Sequence, residues 1–137
     1  MKRLMLSLAV LAFSTAAYAD PRSPQQLGEL WVKAIQAHST DQLQPLIHPG
    51  CKNGVIKPAI LNRMVAGDVA PRYTFSTSEI GPREALEKIF LVIPEKNLLL
   101  TYDVTTPEEK KQYGMGKGFP IARADDGSWY FAICAKQ

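Results

Sequence analysis

Apolar residues keep a helical spacing as far as Gly67 and an alternating spacing after it, and that single switch of period constrains the fold most. A chain that changes period once cannot build the repeating strand–helix–strand units of a parallel sheet. It predicts an α+β fold in which N-terminal helices pack on one face of a curved antiparallel sheet. Ser23 and Pro24 open the first helix with a cap and a proline in its first turn, and Gln26 completes an S-x-x-Q capping box. Leu27, Leu30, Trp31, Ala34, Ile35 and His38 then recur along one helical face. Ser39-Thr40-Asp41 caps a short second helix carrying Leu43, Leu46 and Ile47, which His48-Pro49-Gly50 stops. Residues 51–56 read as a loop or an edge strand. Pro58 starts a third helix with Ile60, Leu61, Met64 and Val65 on one side, and Gly67 ends it.

Beyond Gly67 the spacing predicts at least five antiparallel strands. Residues 72–80 are rich in Tyr, Phe, Thr and Ser, and Gly81-Pro82 breaks the run. One helical turn fits residues 84–87. Residues 88–93 and 98–105 read as strands joined by a four-residue turn, Pro94-Glu95-Lys96-Asn97. Residues 106–116 read as a polar loop. Residues 117–124 and 128–135 form a last hairpin around Asp125-Asp126-Gly127.

The first 19 residues belong to a different pattern. Lys2 and Arg3 precede an apolar run from Leu4 to Phe13, and Ala17-Tyr18-Ala19 follows as an A-x-A cleavage site. The run is shorter than the ~20 residues a membrane span needs. The expected division is a signal peptide over 1–19 and a single domain over 20–137, secreted or periplasmic after cleavage near Ala19. Such a compartment preserves disulfides, and Cys51 and Cys134 form the one pair the sequence offers. Closing that loop is worth roughly 4 to 5 kcal/mol by chain-entropy reasoning. Loss of Lys2 and Arg3 from the 16 basic residues leaves 14 against 13 acidic ones. So balanced a charge gives no reason to expect nucleic acid or an anionic membrane as partner, and no second hydrophobic span supplies a membrane anchor.

The order helix, short helix, a Leu46-Ile47-His48-Pro49 stop, third helix and then a strand meander ending in Trp129-Tyr130-Phe131 resembles the cone-shaped superfamily of nuclear transport factor 2, ketosteroid isomerase and SnoaL-type proteins. The resemblance covers nearly all of residues 23–137 and also rests on the Leu-Trp-x-x-Ala-Ile style of the first helix. It implies a pocket between the helices and the hollow side of the sheet. The superfamily holds isomerases, cyclases, dehydratases, binding modules and interaction domains, so shape alone selects no activity.

Little in the sequence names a reaction. Isomerases of this shape need a carboxylate base and an oxyanion hole of Tyr plus a protonated Asp. Asp103 alternates with Tyr102 and so faces away from the apolar side of its strand, while Asp68 reads as a turn residue. His48 stands at the helix-to-strand corner where it can serve as an acid/base or simply cap a helix end, and His38 reads the same way for the first helix. Two histidines and two paired cysteines offer too few ligands for a metal. Gly114-Met115-Gly116-Lys117-Gly118 lacks the spacing of a phosphate loop and reads as a loop entering a strand. No cofactor motif is present.

The aromatic residues carry the stronger signal. Trp31, Tyr73, Tyr102 and Trp129 lie on apolar faces and each has a polar tip, so they are expected either to line a ligand pocket, with His48 as a polar contact, or to pack as core. Phe90 and Val92 alternate with Ile89, Leu91 and Ile93, which implies a covered outer surface and a homodimer through the sheet. Three readings follow: a binding domain for a small, mostly apolar molecule, an isomerase-type enzyme using His48, or an interaction or inhibitor module using the outer sheet face.

Overall fold

The computed structural model describes residues 20–69, 72–105 and 112–137, with side chains of 103–105 and 112–115 excluded. The expected signal segment 1–19 and residues 106–111 of the expected loop lie outside the described residues, as does the side chain of Asp103. The fold is α+β. Helix α1 (Pro24–Gln36), two 3-10 helices (Asp41–Leu46 and Pro49–Asn53) and α2 (Pro58–Met64) precede strand β1 (Tyr73–Ser78). Helix α3 (Arg83–Ile89) follows, then β2 (Lys96–Thr105), β3 (Gln112–Arg123) and β4 (Trp129–Phe131). The four strands form one antiparallel sheet in the order β1-β2-β3-β4.

Local chemistry accounts for α1. Ser23 Oγ accepts the Gln26 N–H at 3.1 Å, and the Gln26 carboxamide accepts the Arg22 N–H at 2.6 Å. The helix ends in backbone bonds from Ala37, His38 and Ser39 to its last carbonyls, with His38 in a left-handed conformation at φ 48°. The expected apolar face is the buried one: Leu27, Trp31, Ala34 and Ile35 are fully buried. Trp31 packs edge-on against Phe119 and Phe131, with ring centroids 5.6 and 5.2 Å away. Its indole N–H donates to the Met64 carbonyl at 2.9 Å, which ties α1 to the end of α2. Gly28 lies where the Phe75 ring of β1 presses on α1, and a methyl group there would fall 2.5 Å from the ring.

The sheet register follows from alternation. Tyr73 pairs with Tyr102, Phe75 with Leu100, and Leu98 with Phe119. Directly opposed residues share a face, so these six lie toward α1. Leu98, Leu100 and Tyr102 are buried as their parity requires. Gly127, at φ 86°, closes the β3–β4 turn.

Two expectations differ. The run 88–93 is not a strand, and among the described residues the sheet has four strands rather than at least five. Its first residues continue α3, in which Arg83 and Glu87 pair at 2.9 Å. Phe90 makes only an isolated bridge, to Ala135. Phe90 and Val92 therefore lie outside the sheet, and the alternation argument for a sheet-to-sheet dimer loses its premise. The glycine-rich stretch Gly114–Gly118 is not a loop. It belongs to β3, with Gly114 paired to Asp103, Gly116 to Thr101 and Gly118 to Leu99.

The expected disulfide joins Cys51 and Cys134, with Cα atoms 5.5 Å apart. The segment after Asp41–Leu46 runs along the outer edge of β4, where Ile47 bridges Phe131 and the His48 N–H donates to the Phe131 carbonyl at 3.0 Å. The tail then leaves the sheet. Ala135 exchanges both backbone hydrogen bonds with Val55 and also bridges Phe90. Cys51 thus reaches Cys134 around the sheet edge.

Replacing Gly28 by Ala adds helix propensity worth about 0.5–1 kcal/mol. It also forces the Phe75 ring or α1 to move, at about 1–3 kcal/mol. The expected result is a lower melting temperature for Gly28→Ala. Adding Phe75→Leu should return part of that loss in a double-mutant cycle.

Candidate functional site

The expected pocket residues divide between two places. Trp31, Tyr102 and Trp129 belong to one buried cluster with Leu98, Leu100, Phe119 and Phe131, and Tyr73 packs at its margin. The polar tips of Trp31 and Tyr73 are bonded within the protein. Trp31 is bonded to Met64. The Tyr73 hydroxyl donates to Glu29 Oε2 at 2.9 Å, and that bond, with burial and the carboxylate charge, pushes the phenol above its ordinary range. Trp129 is roofed by two cations, with Lys96 Nζ 5.6 Å and Arg123 Cζ 5.3 Å from its ring centre.

Glu95 fixes that roof. Its carboxylate accepts the Arg123 backbone N–H at 2.6 Å and the guanidinium at 2.9 and 3.1 Å. Burial pushes the Glu95 carboxyl up, but the hydrogen bonds and charge of Arg123 outweigh it and hold the group below its ordinary value.

His48 stands apart from the aromatic cluster, at the edge of β4. Its Nδ1 accepts the Gly50 N–H at 2.9 Å, which caps the 3-10 helix Pro49–Asn53. Its Nε2 lies 3.1 Å from the Arg123 carbonyl and, with Nδ1 accepting, is the protonated nitrogen that donates. The ring also packs edge-on against Tyr130 at 5.9 Å. Both nitrogens hold backbone, so a proton transfer at either one would break a structural bond. His38 leaves the closing of α1 to the backbone. Its Nδ1 is 3.3 Å from the Val65 carbonyl and its Nε2 is 3.5 Å from Asp68.

A depression of about 480 Å³ opens beside His48, between the two 3-10 helices and α2. Ile47, Ile56 and Leu61 supply its aliphatic wall, Gln44, His48 and Lys52 its polar rim, and Cys51 part of its base. Smaller hollows of about 370 and 290 Å³ lie beside Glu79, Glu95 and Lys96, and beside Arg63 and Lys117. None of the three is lined by Trp31, Tyr73, Tyr102 or Trp129. Lys117 is committed to structure: its ammonium donates to the Arg63 and Ala66 carbonyls, each at 2.6 Å, at the end of α2. Burial and the nearby Arg63 charge lower its pKa.

Gln44, Lys52, Ile56 and Leu61 escaped the sequence reading as site residues. A signal was present: residues 42–67 contain Lys52, Lys57 and Arg63 but no Asp or Glu. The groove lining therefore carries aliphatic side chains, one cation, Lys52, and no carboxylate. Among the described residues no group of three His, Cys, Asp or Glu side chains could hold a metal ion, and no helix is long and apolar enough to cross a membrane.

Glu95→Gln tests the roof over Trp129. The folded Glu95 carboxyl binds its proton more weakly than the unfolded one, so its contribution is present above the ordinary value of 4.5 and is lost as pH falls through the lower folded value. Urea midpoints should place the variant below wild type at neutral pH, and the two should converge as pH falls through the lowered folded value.

No family model matches this chain, and neither a curated protein nor a solved structure matches it.

Proposed function

We propose that this protein is an exported binding domain that holds a small, mostly apolar molecule with an acidic or strongly hydrogen-bond-accepting head. Export is supported by the A-x-A pattern ending at Ala19 and by the Cys51–Cys134 disulfide. The cone shape of the nuclear transport factor 2-like superfamily is part of the same reading, and the order of helices followed by an antiparallel meander supports it. The observation that carries the binding role is the groove of about 480 Å³, whose lining joins the aliphatic Ile47, Ile56 and Leu61 with the polar Gln44, His48 and Lys52. Wall and rim of that kind bind an alkyl or ring body by burial and orient its head by a few polar contacts.

The groove replaces the aromatic cluster as the binding site in this reading. Trp31 is enclosed by Phe119 and Phe131 and its N–H is already bonded, so a ligand there would have to displace core. His48 orients and caps rather than moving protons. An isomerase role for it would require at least one of its backbone contacts to be broken.

Decanoate titrated into labelled protein tests the proposal by amide resonance shifts. The expected shifts map to Gly50, Cys51, Gly54 and Ile56 and are lost in Lys52→Glu and Leu61→Trp. Perturbation of the Trp31 indole N–H with the groove amides unmoved would place the ligand in the aromatic cluster and overturn the groove assignment. No perturbation anywhere would remove the binding role for acidic amphiphiles.

A further inference from the structure

The near-neutral mature charge conceals a pole with one sign. Three segments meet where the C-terminal tail leaves the sheet. Val55 bridges Ala135, and Ala135 bridges Phe90. The Lys136 N–H donates to the Ile89 carbonyl at 3.1 Å, and the Leu91 N–H to the Cys134 carbonyl at 3.1 Å. Leu91 and Val92 pack so closely on Gly54 and Gly50 that an added methyl would fall 3.0 and 2.8 Å from them. Residues 47–57, 88–93 and 131–137 share this end of the molecule through those contacts and the Phe131 pairing of Ile47 and His48. They contain Lys52, Lys57, Lys88 and Lys136 and no Asp or Glu. Glu87, which adjoins Lys88, is paired with Arg83.

The same end carries three exposed large aliphatic side chains: Ile89, Val55 and Leu91 are 59%, 43% and 37% accessible. None of them lines the groove beside Lys52. They project from short segments rather than enclosing a cleft, so they offer nothing for an anchor residue of a folded partner to enter. Lysines adjoin them along the chain: Lys88 precedes Ile89, Lys136 is bonded to it, and Lys57 lies two residues beyond Val55.

We propose that this pole is a docking surface for an anionic lipid bilayer. Ile89, Leu91 and Val55 would enter the headgroup layer, and Lys52, Lys57, Lys88 and Lys136 would lie against lipid phosphates. Aliphatic projections rimmed by flexible point charges suit a fluid layer of phosphates, and each lysine near such a surface strengthens binding several-fold. An acidic protein would instead be read by bidentate arginine contacts, and these segments hold no arginine. The contact is peripheral and reversible, which agrees with the lack of a membrane-spanning helix among the described residues. It does not depend on what occupies the groove.

Sedimentation of the disulfide-bonded protein with large vesicles tests it. Vesicles of mixed phosphatidylglycerol and phosphatidylcholine should carry the protein down at low salt, while pure phosphatidylcholine vesicles should not. Salt near about 0.5 M should release it, because screening then acts within a few ångströms. Ile89→Asp with Leu91→Asp should abolish sedimentation. Lys52→Gln with Lys136→Gln should weaken it about tenfold, and Lys33→Gln on α1 should leave it unchanged. The salt dependence needs no variant, so loss of folding cannot mimic the result. Absence of binding to anionic vesicles at low salt overturns the proposal. Binding indifferent to both double variants overturns it too. So does a dimer in analytical ultracentrifugation that Ile89→Asp dissolves, since a second copy would then cover the face.

Discussion

The seam between the C-terminal tail and the segment from Ile47 to Val55 organises the non-core half of this molecule. Three backbone bridges, from Phe131 to Ile47 and from Ala135 to Val55 and Phe90, hold the tail on both sides. The Cys51–Cys134 bond crosses the same seam. Neither 3-10 helix could hold its place alone. Each spans six residues or fewer, and 3-10 geometry bonds poorly. The seam places Cys51 and Ile47 in the groove and sets Val55, Ile89 and Leu91 on the surface around the tail.

The other half is held by ordinary burial. Trp31 fills the centre between α1 and the sheet, with its ring against Phe119 and Phe131 and its N–H on the end of α2. The largest of the described hollows lies at the seam, and Trp31, Tyr73, Tyr102 and Trp129 do not line it. Chemistry follows the division. Fixed backbone contacts take both nitrogens of His48 and the ammonium of Lys117, whereas Lys52 stands on the rim of an open groove.

Much of the packed half was legible in the sequence. The first helix could be read because Leu27, Trp31, Ala34 and Ile35 repeat at helical spacing behind a Ser-Pro start, and β2 because Leu98, Leu100 and Tyr102 alternate. The disulfide was legible because only two cysteines exist. The stretch 88–93 was misread because a short apolar run has no period of its own, and the Arg83–Glu87 helix ahead of it claims its first residues. Gly114 and Gly116 of β3 were misread as loop because glycine seldom favours strands. Gly114, Gly116 and Gly118 nonetheless keep period two. The groove stayed hidden because its residues come from 3-10 helices and loops, where side-chain direction cannot be read from periodicity. Its one clue, a stretch without carboxylates, disappears in the net charge.

Amide hydrogen exchange on Cys51→Ala/Cys134→Ala tests the seam most directly. If the seam is a unit separate from the core, the variant should lose protection at His48, Val55, Leu91 and Ala135, while β2 and β3 keep theirs. Uniform loss of protection across β2, β3 and the tail would contradict that division, as would unchanged protection along the tail.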